Sequence, residues 1–360
     1  MRGAAAVAIA IAVGLCAVGG SRAERTIEWD KSTLVRVHKG GTYARMIRVR
    51  SGDILCCFED AGKSWVTRSA DNGRTWGEAN QAAKAPSGAA ANPEMLQLAN
   101  GWILLFYNER PADGKRKFTI QACVSKDGGR TWRHHRRAYE ADSKPENGCW
   151  EPAAIQLASG EIQLFFANEK PYPTSAEQEI TMLRSFNNGW SWSEPKAVSF
   201  RAGHRDGMPV PCVLNGGKDI VVAIEDNGYT LMFTPTIVHT TIEKNWDGPF
   251  AGAGSPQRWR AISRPPTVEW GGAPYIRQMP TGETVLSFQS SVGRKWPQMV
   301  VYVGDENARN FSGRTVPFDV QPESGGWWNS LFVKDRRTIT AISACNDGVY
   351  AIDGHIADSQ

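Results

Sequence analysis

The sequence carries little net charge of either sign. Its 360 residues include 41 Lys and Arg against 37 Asp and Glu, a formal charge of +4, which gives no electrostatic reason for a nucleic acid or an anionic membrane as partner. It also lacks a long hydrophobic run, because the apolar stretch at residues 4–18 is shorter than the roughly 20 residues that cross a bilayer. Its seven cysteines show no C-x-x-C or Cys/His spacing, so no metal site is expected. Glycine-rich phosphate loops, nucleotide motifs and serine nucleophile elbows are absent, and no cofactor is implied.

What is present starts with Arg2, the apolar stretch, and the small residues Ser21 and Ala23 two apart, the pattern of a cleaved secretory signal. Bulky Leu15 ahead of Cys16 argues against a lipid anchor. The expectation is a signal peptide at 1–23 and a single domain at 24–360, monomeric, secreted or periplasmic, with no membrane partner after cleavage. That compartment permits disulfides. Adjacent Cys56 and Cys57 point to opposite faces of a strand, so the pairing stays open, with buried free thiols as the alternative.

One pattern recurs six times: a short apolar strand, a turn with glycine or charge, and a second apolar strand. The copies are MIRVRSGDILCCFE (46–59), MLQLANGWILLFYNE (95–109), AIQLASGEIQLFFANE (154–169), PCVLNGGKDIVVAIE (211–225), IRQMPTGETVLSFQ (276–289) and SLFVKDRRTITAIS (330–343). Each reads as a β-hairpin. Turn glycines Gly52, Gly101, Gly160, Gly217 and Gly282 are 49, 59, 57 and 65 residues apart, a period that fits a four-stranded propeller blade. The predicted fold is all-β, a six-bladed propeller of antiparallel four-stranded blades.

Aligning the last apolar residue of each first strand (Val49, Leu98, Leu157, Leu214, Met279, Val333) brings Pro93, Pro152, Pro209 and Pro274 into one column, taken to mark the entry of each inner strand into its sheet. The column before them holds Tyr43, Asn92, Glu151, Met208, Ala273 and Trp327. The column after holds Arg45, Glu94, Ala153, Val210, Tyr275 and Asn329. These residues are expected to ring one mouth of the central channel, where a purely structural ring would be small and apolar.

Three further segments, SADNGRTW (69–76), SKDGGRTW (125–132) and SFNNGWSW (185–192), share S-x-[DN]-x-G-x-[ST]-W. The Asp or Asn can accept backbone N–H bonds within its own turn, the glycine supplies a positive φ, and the tryptophan is expected to pack back on its hairpin. These boxes resemble those of the Asp-box, or bacterial neuraminidase repeat, proteins. The resemblance implies a sialidase-like propeller with the boxes between the outer two strands of a blade, away from the active site. It does not select a substrate, since that group includes sialidases, arabinan and glucan hydrolases and non-enzymatic propellers.

Hydrolysis of a glycosidic bond needs two carboxyl groups, one held protonated and one ionised. Glu151, in GCWEPAAIQL, stands in the ring column between Trp150 and Pro152. Glu225, in DIVVAIEDNG, ends an apolar strand where a carboxylate is costly without a partner or a function, and aligns with Glu59, Asn108, Ala167 and Gln289. The segments around both resemble the W-E-P and D-G-M-P segments of the exo-arabinanases of glycoside hydrolase family 93. That resemblance covers nearly all of the expected mature chain. It implies a secreted six-bladed enzyme releasing arabinobiose from the non-reducing end of 1,5-α-L-arabinan with retention, with Glu151 and Glu225 as the catalytic pair; the residues leave open which is nucleophile and which acid/base, with Glu151 favoured as nucleophile and Glu225 as acid/base.

Tyr43, Arg45, Asn92, Glu94, Trp150, Asp206, Tyr275, Arg277 and Asn329 are the candidates for binding an oligo- or polysaccharide, and Trp65, Trp327 and Trp328 lie near the predicted mouth. His134 and His135 read as part of a basic loop. The rival enzymatic reading, a sialidase, would use an arginine triad drawn from Arg45 or Arg48, Arg205 and Arg277, but TYARMIRV lacks the R-I-P signature and no Tyr and Asp fit the remaining roles; a related Asp-box glycosidase of other specificity fits the same segments. A glycan-binding propeller without catalysis is the non-enzymatic alternative.

Overall fold

The computed structural model describes residues 25–230, 232–262, 270–321 and 324–358; the expected signal peptide falls outside them. The described residues form 24 strands in six four-stranded antiparallel sheets. After β1 (Arg25–Lys39), blade 1 comprises β2 (Thr42–Arg48), β3 (Ile54–Asp60), β4 (Lys63–Ser69) and β5 (Asn80–Lys84). Blade 2 follows with β6 (Ala89–Gln97), β7 (Ile103–Arg110), β8 (Thr119–Ser125) and β9 (Arg133–Glu140), and blade 3 with β10 (Cys149–Gln156), β11 (Ile162–Asn168), β12 (Glu179–Ser185) and β13 (Lys196–Ser199). Blade 4 is β14 (Asp206–Leu214), β15 (Asp219–Asp226), β16 (Thr234–Thr241) and β17 (Arg258–Arg260), and blade 5 is β18 (Gly271–Gln278), β19 (Thr284–Ser290), β20 (Gln298–Gly304) and β21 (Ser312–Thr315). Blade 6 takes β22 (Gly326–Val333), β23 (Thr338–Cys345) and β24 (Gly348–Asp358) from the C-terminal end and borrows β1 as its outermost strand. The inner strands β2, β6, β10, β14, β18 and β22 pack side by side around the channel. All six predicted hairpins are the inner two strands of a blade.

The apolar core lies in the seams between blades, because each sheet is buried on both faces by its neighbours. Leu98, Phe106 and Ile120 of blade 2 meet Ile162 and Phe166 of blade 3. Cys56 faces the seam toward blade 6 and Cys57 the seam toward blade 2, as strand alternation requires. All six described cysteines are buried free thiols.

The three boxes connect the outer two strands of blades 1, 2 and 3. In the second, Asp127 accepts from the backbone N–H of Arg130 and Thr131 at 3.0 and 2.9 Å and from the Thr131 hydroxyl at 2.6 Å. Asp71 repeats the arrangement, and Asn187 retains the bond from the N–H of Ser191. Gly73, Gly129 and Gly189 have φ of 88°, 89° and 80°. The tryptophans pack into clusters that join their own blade to the preceding one, Trp192 meeting Phe106 of blade 2 edge-on at 5.9 Å, so each box staples two blades.

The aligned columns need two corrections. The prolines do not open the inner strands; each stands mid-strand as the second residue of a β-bulge, where a missing N–H costs no ladder bond. In blade 6 the bulge falls between Trp327 and Ser330, so Trp328 rather than Trp327 occupies the ring position and Asn329 stands in the proline column. The alignment slipped because the landmark position is filled there by Lys334, whose N–H bonds Thr338 O as that of Val49 bonds Asp53 O. Its ammonium is neutralised by Asp353.

Candidate active site

All six inner strands carry the same bulge, and its first residue is left-handed in every one: Tyr43, Asn92, Glu151, Met208, Ala273 and Trp328 have φ between 45° and 59°. An L-residue adopts that conformation at a cost of roughly 1–2 kcal/mol, and a bulge re-aims its side chain. Sixfold repetition turns these side chains toward the channel at the end where the inner strands begin. Tyr43, Met208 and Ala273 pack together there with Trp328 against them, the Tyr43 and Trp328 rings 6.0 Å apart. Glu151 stands beside this apolar floor.

The bulge N–H groups face the channel and take acceptors from side chains. Glu59 accepts from Asn92 N–H at 3.2 Å, Glu225 from Ala273 N–H at 2.8 Å, and Gln289 from Trp328 N–H. These three acceptors occupy equivalent ends of the second strand, opposite Thr42, Gly207 and Gly272. Blade 3 has the short Ala167 at that place, and Met208 N–H is bonded instead by Glu151 Oε2 at 3.1 Å. Glu151 and Glu225 are therefore both fixed by the backbone of the next blade, and both keep part of their surface open to the channel.

Electrostatics separate the two. Burial, and then the charge of Glu151, push the Glu225 carboxyl up to about 8, against the N–H of Ala273 and the charge of Arg205. Burial also raises Glu151, but Arg110, the Met208 N–H, Arg205 and Arg45 all favour its ionised form. The charge of one carboxyl group disfavours ionisation of the other. Near neutral pH Glu225 therefore holds a proton, while the cations around Glu151 work against the upward push of its burial. The space beside Glu225 is kept clear by two glycines: a Cβ on Gly207 would lie 2.9 Å from its Oε1, and one on Gly272 2.9 Å from its Oε2.

Beneath the glutamates, Arg45 is buried at 1% exposure. Its guanidinium lies between the rings of Tyr43 and Tyr275, 3.9 and 4.9 Å from their centroids, and pairs with Glu94 at 3.4 Å. Arg277 stacks on Tyr275 at 4.3 Å and donates to its hydroxyl. These four sequence candidates, with Tyr43, form one plug across the channel. Asn92 and Trp150 stand at the mouth beside Glu151. Asp206 is fully buried in the blade, held two-pronged by Arg258 at 2.6 and 2.7 Å, which also binds Asp226 at 2.5 Å. Asn329 is buried as well, accepting from Ser287 Oγ at 2.7 Å.

Three residues outside the sequence candidates complete the mouth. Arg110 lies 5.1 Å over the Trp150 ring and is held by Asn108 at 2.7 Å and by Asn92. Arg205, considered only as a member of an arginine triad, pairs with Glu169. Buried Glu169 also accepts from Trp150 Nε1 at 2.9 Å and Gln178 Nε2 at 3.1 Å, and so orients both an arginine and an aromatic of the site. Arg110 and Glu169 are charges at the end of an apolar strand, the signal that singled out Glu225. An open groove of about 520 Å³ adjoins the mouth at the seam of blades 6 and 1, lined by Thr42, Trp327, Trp328 and Asp347 among others. A cleft of about 330 Å³ lined by His239, Trp246 and Phe250 lies among the outer strands of blades 3 and 4, away from the glutamates.

The architecture is a six-bladed β-propeller with four antiparallel strands in each blade. No protein-family profile matches the chain, and no curated protein matches it. Among solved structures, the GH93 α-L-arabinofuranosidase of Fusarium graminearum, in complex with arabinobiose, is similar over 91% of this chain and 94% of its own, with TM-score 0.67 and 17% identity. The α-L-arabinanase of Penicillium chrysogenum, also with arabinobiose, is similar over 91% of this chain and 98% of its own, with TM-score 0.66 and 19% identity. The NanB sialidase of Streptococcus pneumoniae gives TM-score 0.59 at 12% identity, over 91% of this chain and 70% of its own.

Proposed function

We propose that the protein is a secreted, exo-acting retaining glycoside hydrolase that removes units from the non-reducing end of an α-L-arabinan-type polysaccharide. The observation that carries this reading is the pair at the channel mouth: Glu225, pushed up to about 8 by burial and by Glu151, and Glu151, flanked by cations. Division of protonation between two carboxyl groups is what glycoside hydrolysis requires. In the first step Glu151 attacks the anomeric carbon while Glu225 gives its proton to the glycosidic oxygen, so a glycosyl ester forms as the C–O bond to the leaving chain breaks. In the second, Glu225 takes a proton from water, the water oxygen bonds the anomeric carbon, and Glu151 leaves as carboxylate. The groove beside the mouth gives room for the leaving chain.

The similarity to enzymes solved with arabinobiose supports arabinan over sialoside. So does the state of the arginines: Arg45 is buried against Glu94, Arg205 is engaged by Glu169, and Arg277 is held at Tyr275. A carboxylate clamp needs such groups convergent and free.

The test is the product profile of the purified protein on linear 1,5-arabinan and sialyllactose side by side, with Glu151→Gln and Glu225→Gln as controls. Arabinobiose as the sole early product, lost in both variants, is the expected result. Free sialic acid would replace the substrate assignment, and products unaffected by either variant would remove the catalytic pair.

A further inference from the structure

The near-neutral total hides a local excess. Between residues 110 and 144 ten side chains are Lys or Arg and four are Asp or Glu, so blade 2 holds the positive balance and the rest of the chain is slightly acidic. Its centre is β9, the edge strand of blade 2, whose first five residues, Arg133, His134, His135, Arg136 and Arg137, are all exposed. Charged edge strands discourage edge-to-edge pairing, but that role does not call for aromatic partners, and here the cations are laid on indoles. Arg136 lies 4.0 Å over Trp190 and Lys126 3.8 Å over Trp102, with the two indoles edge to face at 6.5 Å. Trp190 belongs to the degenerate third box and stands where the first two boxes carry Arg74 and Arg130. Its departure from the box pattern places an aromatic across the seam against the basic strand.

We propose that this edge of blades 2 and 3 is a binding surface for an acidic polysaccharide, a chain bearing uronic-acid carboxylates. Guanidinium and ammonium groups steadied on aromatic faces pair with carboxylates, and the half-buried indoles of Trp102 and Trp190 add apolar surface for the flank of a pyranose ring. The patch is about one strand wide on an otherwise slightly acidic molecule, which fits a single glycan chain and not the many phosphate contacts of a nucleic acid. The turn after β6 and the boxes lie at the end of the blades opposite the glutamates, so a chain held here leaves the catalytic mouth clear. The inference goes beyond the hydrolase reading and does not depend on it.

The experiment is retention on immobilised polygalacturonate at 20 and 300 mM NaCl, for the full chain and for the Arg133→Glu, Arg136→Glu double variant, with Trp190→Ala and Glu225→Gln beside them. Retention at low salt, at least tenfold weaker at high salt, lost in the double variant, weakened by Trp190→Ala and kept by Glu225→Gln is expected, with linear arabinan failing to compete. Absence of retention at 20 mM, retention unchanged in the double variant, or tighter binding to duplex DNA of matched charge would each overturn the proposal. Thermal melts check that the double variant is folded; if it is not, the wild-type salt dependence together with Trp190→Ala decides.

Discussion

Glu225 performs a backbone task that charge does not require. Gln289, at the equivalent place one blade on, accepts the corresponding N–H with a neutral amide. The acid at 225 therefore carries a cost that Glu225→Gln removes. The carboxyl ionises near 4.5 when unfolded and near 8 when folded. Below about 4.5 it is protonated in both states and makes no difference to stability. As pH rises from there toward 8 only the unfolded state releases its proton, so wild-type stability falls, and above 8 the deficit is constant. Glu225→Gln should melt close to wild type at pH 4 and several degrees above it at pH 8.5, at roughly 1.5 °C for each kcal/mol recovered in a domain of this size; equal melting at pH 8.5 would remove the raised pKa. The same substitution should cost about 10²–10⁴ in kcat/KM on a glycan and much less on an aryl glycoside whose leaving group needs no proton. For the wild type, kcat/KM should decline as pH passes about 8, because the form that donates the proton disappears. Arg205→Ala should move that alkaline limb upward, since the Arg205 charge favours ionised Glu225.

At the scale of the element, the recurring device is the bulged inner strand, and its details explain what the sequence could and could not disclose. Hairpins, blade number and box turns were legible because periodic apolar strands and glycine turns are local signals. Glu151, Asn92 and Tyr43 were found because a proline follows the first bulge residue in four blades and fixes the register. Where blade 6 substitutes Lys334 for the apolar landmark, the register moved by one and Asn329 was assigned to the ring in place of Ser330; a slip of one residue exchanges faces. Arg45, Glu94, Tyr275 and Arg277 were legible as channel residues, whereas their mutual pairing depends on three blades converging and leaves no mark in any one strand. The bulge also predicts an effect away from the glutamates. Gly207 sits opposite Glu225, and an added Cβ would meet Glu225 Oε1 at 2.9 Å and Gln178 Oε1 at 3.0 Å, both at ends of side chains. Gly207→Ala should fold with a melting temperature within a few degrees of wild type yet lose at least tenfold in kcat, because the acid is displaced from its N–H; full activity would show that the position of Glu225 is not critical.

At the scale of the molecule, the site exists only because the ring is closed. Glu151 leans on blade 4 and Glu225 on blade 5, while the floor joins Tyr43 of blade 1 to Trp328 of blade 6. Blades 6 and 1 are joined through β1, which pairs with β24 from Arg25–Asp358 to Lys39–Gly348. It is also tied to blade 5 by Arg25 to Glu283 and by Trp29 Nε1 to Thr315 Oγ1 at 3.1 Å. Deleting residues 25–39 would leave the long β24 as an unpaired edge and remove the covalent continuity between first and last blades. That deletion should yield protein that aggregates or melts far below the full chain, with no activity even though every side chain of the mouth is still present. A circular permutant that joins 358 to 25 and opens the exposed turn after Asp113 keeps every strand pairing and moves only the chain ends. It should retain the fold by circular dichroism and most of the activity. If the permutant were inactive while folded, or the deletion variant active, closure by β1 would not be what holds the glutamates in register.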